Sequence, residues 1–235
     1  MTAMTATALP VDDAGRFDVL KSRLFTAVVG DVLDQMGLKR QFLPPGLAPL
    51  KPEQKIAGRA MPVLEADVFE ETGAGAGPLS SKRFGLLFEA LDSLKPGDVY
   101  IAHTPVPRYA LWGGLMTTRA LHLKASGAVI DGFARDADEI EALGLPVFCR
   151  GLYAQDQGPR GKVIDYRCAI EIGGVRIAPG DLIYGDREGV LVIPRQAEDE
   201  AIRRALEKAE TENHVATAIK NGMSTVEAFA TFGVM

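Results

Sequence analysis

The sequence predicts an α/β fold in a single domain, with helices packed on a mixed sheet. Strand-like and helical segments alternate through the middle of the chain, and a paired-strand signal follows late. No proline-rich or charged linker interrupts residues 14–235, which we expect to form one domain after a disordered tail of residues 1–13. Hydrophobic residues make up 47% of the chain and charged residues 24%, which is typical of a globular protein.

Helical spacing dominates the beginning of this domain. Apolar side chains recur every three or four positions across residues 16–36. Gly30 interrupts that pattern, so we expect two short helices that meet at Gly30 and Asp31, the second of them ended by Gly37. Four prolines within residues 41–54 predict a connecting loop.

The later elements follow from turn residues and from apolar runs. Pro-Gly-Asp turns precede strands at residues 99–102 and 182–184, and the pair Gly173-Gly174 predicts a hairpin. The other predicted elements are, in chain order, a strand at 56–64, a glycine-rich loop at 72–78, helices at 81–94 and 113–126, a strand at 128–130, a helix at 137–143, a strand at 146–149, a buried strand at 189–194, and helices at 196–221 and 225–231.

Charge and cysteine content argue against several classes of function. The formal net charge is −5, and no run rich in lysine or arginine suggests a nucleic-acid partner. No apolar run reaches the roughly 18 residues that a membrane span needs. The two cysteines, Cys149 and Cys168, lack CxxC spacing. We therefore expect inert buried thiols, no zinc site and a cytoplasmic location.

The residues with the clearest chemical potential lie between positions 112 and 140. Gly113 and Gly114 open a helix, whose first N–H groups, at Leu115 and Met116, could hold an anionic substrate. Arg135 offers a planar set of donors suited to a carboxylate or an enolate oxygen. The next residue, Asp136, is a hard oxygen ligand of the kind that magnesium or manganese prefers. This combination is what the chemistry of 2-oxo acids requires.

A structural role explains the same residues without any chemistry. Asp136 followed by Glu139 fits the capping box that opens a helix at residues 137–143. Arg135 would then be a surface arginine. Local pattern leaves both interpretations open.

Two long segments carry a more specific pattern, WGGLMTTRA at residues 112–120 and GAVIDGFARD at residues 127–136, and shorter ones occur at residues 30–34, 179–181, 185–186 and 189–194. Together they resemble the RraA-like superfamily. It contains the 4-hydroxy-4-methyl-2-oxoglutarate / 4-carboxy-4-hydroxy-2-oxoadipate aldolases and the regulators of ribonuclease E activity. The resemblance implies an αββα sandwich related to swivelling β/β/α domains, assembled as a homotrimer or a hexamer.

The resemblance also implies roles for individual residues. Arg135 would bind the substrate and stabilise the enolate, and Asp136 would ligate Mg²⁺ or Mn²⁺. The backbone at Gly114, Leu115 and Met116 would hold the 2-oxo acid. The superfamily's aldolases carry an Asp, twenty residues, and then Arg-Asp, and the first Asp of that motif falls on Gly114. In the aldolases this Asp helps to activate the water that handles the proton, so the chain departs from the pattern at the proton-transfer step.

Two residues are candidates for completing the site. His103, at the end of a predicted strand, can titrate near neutral pH and could replace the missing base, although a surface histidine is the simpler interpretation. The related aldolases receive a glutamate from the carboxyl-terminal region of a neighbouring subunit. Glu212 is the best match to that glutamate, and a solvated helix face is the alternative.

The function predicted from these residues is a divalent-metal-dependent lyase that cleaves or decarboxylates small 2-oxo acids to give pyruvate. Gly114 disfavours aldol cleavage more than decarboxylation, because decarboxylation needs no base. The alternative is a non-catalytic, protein-binding regulator of ribonuclease activity, which has no need of a metal ligand at Asp136. A methyltransferase is disfavoured, because the glycine run at residues 73–77 lacks a strand before it and a helix after it.

Overall fold

The computed structural model describes residues 9–69, 73–104 and 108–234. Its helices are α1 (Asp13–Arg23), α2 (Thr26–Gln35), α3 (Leu87–Asp92), α4 (Gly114–His122), α5 (Ala137–Leu143), α6 (Glu198–Lys220) and α7 (Thr225–Phe232). Its strands are β1 (Ala48–Pro49), β2 (Ile56–Asp67), β3 (Asp98–His103), β4 (Ala110–Trp112), β5 (Gly127–Ala134), β6 (Val147–Leu152), β7 (Gly161–Tyr166), β8 (Ile170–Ile172), β9 (Val175–Ile177), β10 (Leu182–Asp186) and β11 (Gly189–Ile193).

One mixed sheet organises the described residues. Its main path runs β1-β6-β5-β3-β2-β10-β11, with β4 paired to β5 and β7 paired to β2. The neighbours β2–β3, β3–β5, β4–β5 and β5–β6 are parallel, and the other pairs are antiparallel. Strands β8 and β9 form a separate hairpin, in which Gly173 and Gly174 both have positive φ, 58° and 82°. This confirms the hairpin predicted from the Gly-Gly pair.

The sheet curls until it is nearly closed, and apolar side chains fill both of its faces. Inside the curl, Val129 and Phe148 pack with the β8–β9 hairpin. Outside, α3, α4 and α5 cover one half around Trp112, and α1, α2 and α6 cover the other half around Tyr184. Two helical layers therefore enclose two facing halves of one sheet, which confirms the predicted α/β class and its αββα layering.

The break between the first two helices was predicted at the wrong place. Helix α1 ends before Leu24, and α2 continues through Gly30. The ring of Phe42 occupies the space beside Gly30, since a Cβ built there would lie 2.3 Å from the ring. The glycine therefore serves close packing and not a helix end. Asp12 caps α1 by accepting a hydrogen bond from the N–H of Gly15.

Strand β5 is longer than predicted, and this extension positions the candidate site. The apolar run suggested that the strand would end at Asp131, but pairing with β4 and β6 carries it to Ala134. In contrast, α3 and α4 are shorter than their predicted ranges. Residues 1–8 of the predicted tail, and Thr72 of the predicted glycine-rich loop, lie outside the described residues.

None of the helices in the described ranges combines the length and the apolar character needed to cross a lipid bilayer. Cys149 is buried, as predicted, and burial raises the pKa of its thiol. Cys168 is only half-buried, which corrects the prediction of two fully buried thiols.

Candidate active site

The ends of the parallel strands β4 and β5 bring Gly113 and Gly114 next to Arg135 and Asp136. Trp112, the last residue of β4, lies opposite Ala134, the last residue of β5. The backbone N–H of Arg135 donates to the carbonyl of Trp112 at 3.0 Å. Because the parallel strands β4 and β5 end at the same edge of the sheet, helix α4 begins beside the turn that opens α5. The two segments of the predicted site therefore meet.

Asp136 has an unusual backbone conformation, with φ 60° and ψ 40°. Its side chain makes no capping hydrogen bond to its own helix α5. Instead, its Oδ2 accepts a hydrogen bond of 3.0 Å from the N–H of Gly114, the first residue of α4. The capping box predicted for Asp136 and Glu139 is therefore wrong, because the left-handed turn directs the carboxylate to a neighbouring helix.

Gly113 permits this close approach. A Cβ at that position would lie 2.8 Å from Asp136 Oδ2 and 3.4 Å from Arg135 Cγ. Any larger residue would push the carboxylate away from the amino end of α4. That end carries partial positive charge, which favours the carboxylate electrostatically.

Arg135 lies between two carboxylates. Its Nη1 is 3.1 Å from Asp156 Oδ1, and its Nε is 3.8 Å from Asp136 Oδ2. Its side chain remains 39% exposed, so donors are left for a ligand. Asp156 belongs to a loop between β6 and β7 and was not predicted as a site residue. No local motif marks it, since only the folding of that loop places it opposite Arg135.

These residues line a cavity of about 300 Å³. Its polar side is formed by Arg135, Asp136, Asp156 and Gln157. Its apolar side is formed by aromatic and aliphatic side chains from β4, α4 and the region of α3: Phe84, Leu87, Phe88, Leu111, Trp112, Leu115 and Met116. A larger cavity of about 590 Å³ near Tyr109 and Arg160 contains neither Arg135 nor Asp136. We assign the chemistry to the smaller cavity, because Arg135, Asp136 and the first turn of α4 all line it.

The first turn of α4 offers free backbone donors at this cavity. The N–H of Gly114 is used by Asp136. Among the described residues, no acceptor is recorded for the N–H groups of Leu115 and Met116. The side chain of Leu115 is 83% exposed, and Met116 packs against the core. Unpaired N–H groups at a helix start can bind a carboxylate, so this geometry supports the predicted substrate contacts.

The donor set at Asp136 fits a hydrated, hard cation. No hydrogen bond among the described residues uses its Oδ1, and its side chain is 45% exposed. The same part of the chain contains no group of three His, Cys, Asp or Glu residues that could hold a metal. Magnesium commonly binds one or two carboxylates and keeps several waters, so one carboxylate is sufficient for such an ion.

Comparison with known proteins agrees with the motifs in this cavity. The family model described as RraA-like, Aldolase/RraA, matches residues 26–192, which include every strand of the sheet except the last residue of β11. The chain belongs to the RraA-like family.

The proteins that are similar to this chain carry several different names. Protein DlpA of Legionella pneumophila is 38% identical over 86% of this chain, which spans only 31% of DlpA. A protein of Halalkalibacterium halodurans named as a candidate 4-hydroxy-4-methyl-2-oxoglutarate aldolase is 33% identical over 61% of this chain and 68% of its own length. The crystal structure of Streptomyces coelicolor RraAS2, named as an unusual member of the RNase ES inhibitor RraA family, superposes with a TM-score of 0.73 at 23% identity, covering 88% of this chain and 98% of its own.

His103 does not reach the cavity of this RraA-like chain. It lies opposite Asp131 in the β3–β5 pair, and its Nδ1 is 2.7 Å from Asp131 Oδ2. Side-chain alternation puts His103 on the inner face with Ile101, away from α4. Burial alone would raise the pKa of Asp131, but hydrogen bonds from His103 and Arg150 lower it below its usual value. Within one chain His103 therefore lies outside the cavity, and its role as the replacement base stays a prediction.

Glu212 also lies away from the cavity within one chain. It is in the middle of α6, where its Oε1 is 2.5 Å from Lys208 Nζ. The same ammonium group is 3.1 Å from Asp31 Oδ2 on α2. Glu212 thus helps to join two helices of its own chain, and its contribution to a neighbouring subunit stays a prediction.

A buried carboxyl group lies directly behind the cavity and was not predicted. Gln157, which lines the cavity, donates a hydrogen bond from Nε2 to Oε1 of Glu65. Burial, together with the nearby charge of Asp67, raises the pKa of Glu65 to about 8. Glu65 is therefore mostly protonated at neutral pH. No sequence motif distinguishes Glu65 from its neighbours on β2, so only the fold shows that this carboxyl group lies behind the cavity.

Proposed function

We propose that this protein is a divalent-metal-dependent carbon–carbon lyase that acts on small 2-oxo acids and releases pyruvate. The observation that carries the proposal is the convergence of Arg135, Asp136 and the free N–H groups of α4 on one cavity. A guanidinium, a carboxylate with a free oxygen and a helix start are complementary to an anion that develops enolate charge.

Each polar group has a separate task in this proposal. The N–H groups of Leu115 and Met116 hold the substrate carboxylate. Arg135 places its positive charge beside the oxygen that becomes the enolate. Asp156 is a positioning residue, because its contact with Arg135 Nη1 holds the guanidinium over the cavity. Asp136 would hold Mg²⁺ or Mn²⁺, which when bound supplies Lewis-acid polarisation of the 2-oxo group.

The apolar wall limits both the size and the hydration of the substrate. Trp112, Phe84 and Met116 face the charged side across a cavity of about 300 Å³. Fewer waters beside Arg135 strengthen its interaction with a developing charge. The volume suits an acid of a few carbon atoms, and the relatives named as candidate aldolases support a 4-hydroxy-2-oxo acid or oxaloacetate.

The proposal also covers the oligomeric state and the cellular location of the enzyme. We expect a homotrimer or a hexamer in the cytoplasm, in which Glu212 of one subunit approaches the cavity of the next. Two free cysteines among the described residues suit a reducing compartment. A regulator of ribonuclease activity remains the alternative function, and it needs neither a free Asp136 oxygen nor exposed Arg135 donors.

The test is a coupled assay that follows pyruvate release from oxaloacetate and from 4-hydroxy-4-methyl-2-oxoglutarate. We expect activity that EDTA removes and that Mg²⁺ or Mn²⁺ restores. Arg135→Ala should lower kcat/KM by about 100-fold or more, because it removes charge where the enolate forms. Asp136→Ala should abolish the metal dependence together with the activity.

A matched control comes from the same region of the surface. Arg119 is an equally exposed arginine on α4 that pairs with Asp92, away from the cavity. Arg119→Ala should retain the wild-type rate. If Arg135→Ala and Asp136→Ala both retained the wild-type activity, the site assignment would be wrong. Inactivity of the wild type toward every 2-oxo acid would favour the regulator.

A further inference from the structure

The larger cavity, of about 590 Å³, is separate from the candidate active site. Among the described residues, none lines both cavities. Neighbouring residues divide between them, since Tyr109 lines the larger cavity and Ala110 the smaller one, and Gln155 and Asp156 divide in the same way. Main chain of β4 and of the loop after β6 therefore separates two distinct spaces. The volume of the larger one lies within the range of roughly 300–1,000 Å³ that is typical of small-molecule sites.

Two guanidinium groups give the larger cavity positive charge. In the part of the chain that the structure describes, neither Arg108 nor Arg160 forms an ion pair with a carboxylate. Arg108 is exposed and lies over the ring of Phe69, 5.5 Å from its centroid. Arg160 Nη1 donates to the carbonyl of Asp156 at 3.0 Å, and the guanidinium also faces the amide of Gln155. A guanidinium has several N–H groups, so both side chains retain donors for an anion.

Asp67 limits how much negative charge the larger cavity can accept. Its Oδ1 accepts hydrogen bonds from the hydroxyl groups of Thr104, at 3.1 Å, and Tyr109, at 3.0 Å. These contacts hold the carboxylate of Asp67 in the lining. One carboxylate beside two guanidinium groups favours a ligand with a single negative charge, because a second charge would be repelled by Asp67.

Most of the remaining lining is aromatic. The rings of Phe133 and Tyr153 pack edge to face, with 5.6 Å between their centroids. Phe69 and Tyr109 supply two further rings. Phe69 is 78% exposed and Tyr153 is 45% exposed, so aromatic surface is open to a ligand. Aromatic side chains pack favourably against another ring, in offset or edge-to-face geometry.

We propose that the larger cavity is a second ligand site, which binds an aromatic monocarboxylate. Arg108 and Arg160 hold the carboxylate of the ligand, and its ring packs against Phe133 and Tyr153. Benzoate is the simplest member of this class. The site does not depend on the proposed lyase function, and a ligand can occupy it whether or not the cavity of Arg135 is filled.

Isothermal titration calorimetry of the full chain with benzoate tests the chemical class. We expect about one benzoate per chain. Acetate lacks the ring, benzyl alcohol lacks the carboxylate, and phthalate adds a second carboxylate, so each should bind about tenfold more weakly or worse. Absence of benzoate binding would overturn the proposal. Acetate that binds as tightly as benzoate would also overturn it, because the cavity would then accept any small anion.

Substitution of the two arginines locates the bound benzoate. Arg108→Gln and Arg160→Gln should each weaken benzoate binding by about tenfold or more, because each removes a charge-assisted hydrogen bond. Arg108 is exposed, so its variant tests the site even if Arg160→Gln disturbs the loop after β6. Arg119→Gln makes the same change at an exposed arginine that pairs with Asp92, and it should bind benzoate as wild type does.

A variant of the smaller cavity gives the contrary outcome. If Arg135→Gln lost benzoate binding while Arg108→Gln and Arg160→Gln retained it, benzoate would lie in the smaller cavity and the proposal would be overturned. The pyruvate assay is not needed for any of these titrations. A failure of the second site is therefore distinguishable from a failure of the proposed lyase function.

Asp67→Asn tests the charge balance of the larger cavity. The amide oxygen can still accept from Thr104 and Tyr109, while the negative charge is removed. We expect phthalate to bind this variant about fivefold more tightly than it binds wild type, because the repulsion of its second carboxylate is lost. Unchanged phthalate binding in a folded Asp67→Asn variant would overturn the assignment of a monoanion site.

Discussion

At the scale of single residues, the side chain of Asp136 has two roles: one oxygen caps helix α4, and the other is free to bind a cation. Its left-handed backbone is uncommon for a residue other than glycine, although aspartate tolerates it better than most. Conformations of this kind are found where the surrounding structure enforces them, often at functional sites. Here the result is a carboxylate with one oxygen bound to the N–H of Gly114 and the other available to a cation.

Substitutions at position 136 can separate the capping role from the role of the negative charge. Asp136→Asn keeps an oxygen that accepts from Gly114 and a residue type that tolerates positive φ. We expect its thermal midpoint to stay within about 2 °C of wild type, while pyruvate release is lost with the charge. Asp136→Ala also loses the cap and should unfold about 2–4 °C lower, which corresponds to roughly 1 kcal/mol. Differential scanning calorimetry beside the pyruvate assay would check this, and equal midpoints for both variants would contradict the capping contact.

Glu65 makes stability depend on pH. Its pKa is about 8 in the folded protein, against an ordinary value of 4.5. Between these values the folded protein keeps a proton that the unfolded chain has released. The free energy of unfolding therefore falls as the pH rises from 4.5 to 8.

We expect Glu65→Gln to lessen this loss, because glutamine can still accept from Gln157 and does not titrate. Urea unfolding at pH 5 and pH 8.5 should show a smaller difference for the variant than for wild type. Glu210→Gln, an exposed position on α6, should retain the wild-type difference. Superimposable pH profiles for wild type and Glu65→Gln would mean that Glu65 is charged at neutral pH.

At the scale of elements, a buried ion network joins α1, β2 and α6. The guanidinium of Arg59 on β2 contacts both Asp13 on α1 and Glu198 on α6, and Arg16 Nη1 donates to Glu198 Oε1 at 2.8 Å. Burial alone would raise the pKa of Glu198, but the arginines lower it. This stabilisation is therefore present above the unfolded pKa of 4.5 and is lost as the pH falls through the lower folded value.

Removing the central arginine should uncouple these elements. Arg59→Ala leaves Glu198, whose side chain is 2% exposed, without its main partner. We expect the free energy of unfolding to fall by about 3–5 kcal/mol, as for other buried pairs that lose one member. Arg203→Ala, which removes only exposed pairs within α6, should leave the free energy of unfolding close to that of wild type. Equal midpoints of the two variants in urea would show that the network contributes little.

At the scale of the whole molecule, the curled sheet converts distant segments into one cavity. Residues from β4, α4, the start of α5 and the loop after β6 meet at a single edge. Within one chain, the other helical layer, α1 with α2 and α6, contributes no residue to that cavity. Changes in its ion network should therefore alter stability without altering the chemistry.

Metal binding should be visible in the stability of the whole chain. A cation that binds only the folded state raises the free energy of unfolding by about 2.7 kcal/mol when its concentration is about 100 times its Kd. We expect Mn²⁺ to raise the thermal midpoint of wild type and to leave that of Asp136→Ala unchanged. An equal shift in both proteins would place the ion elsewhere.

The sequence by itself determined the class of fold, the family and the adjacent pair Arg135 and Asp136. Each of these depends on local sequence. The period of the apolar residues indicates which face of an element is buried, and the residues of a motif are adjacent in the chain. The tertiary structure alone decided that Asp136 caps α4, that Asp156 faces Arg135, that Glu139 lies beside Gly114 and that His103 lies on the inner face. The reason is that distances between elements depend on strand register and on the packing of helices across the sheet, and no stretch of local sequence encodes either one.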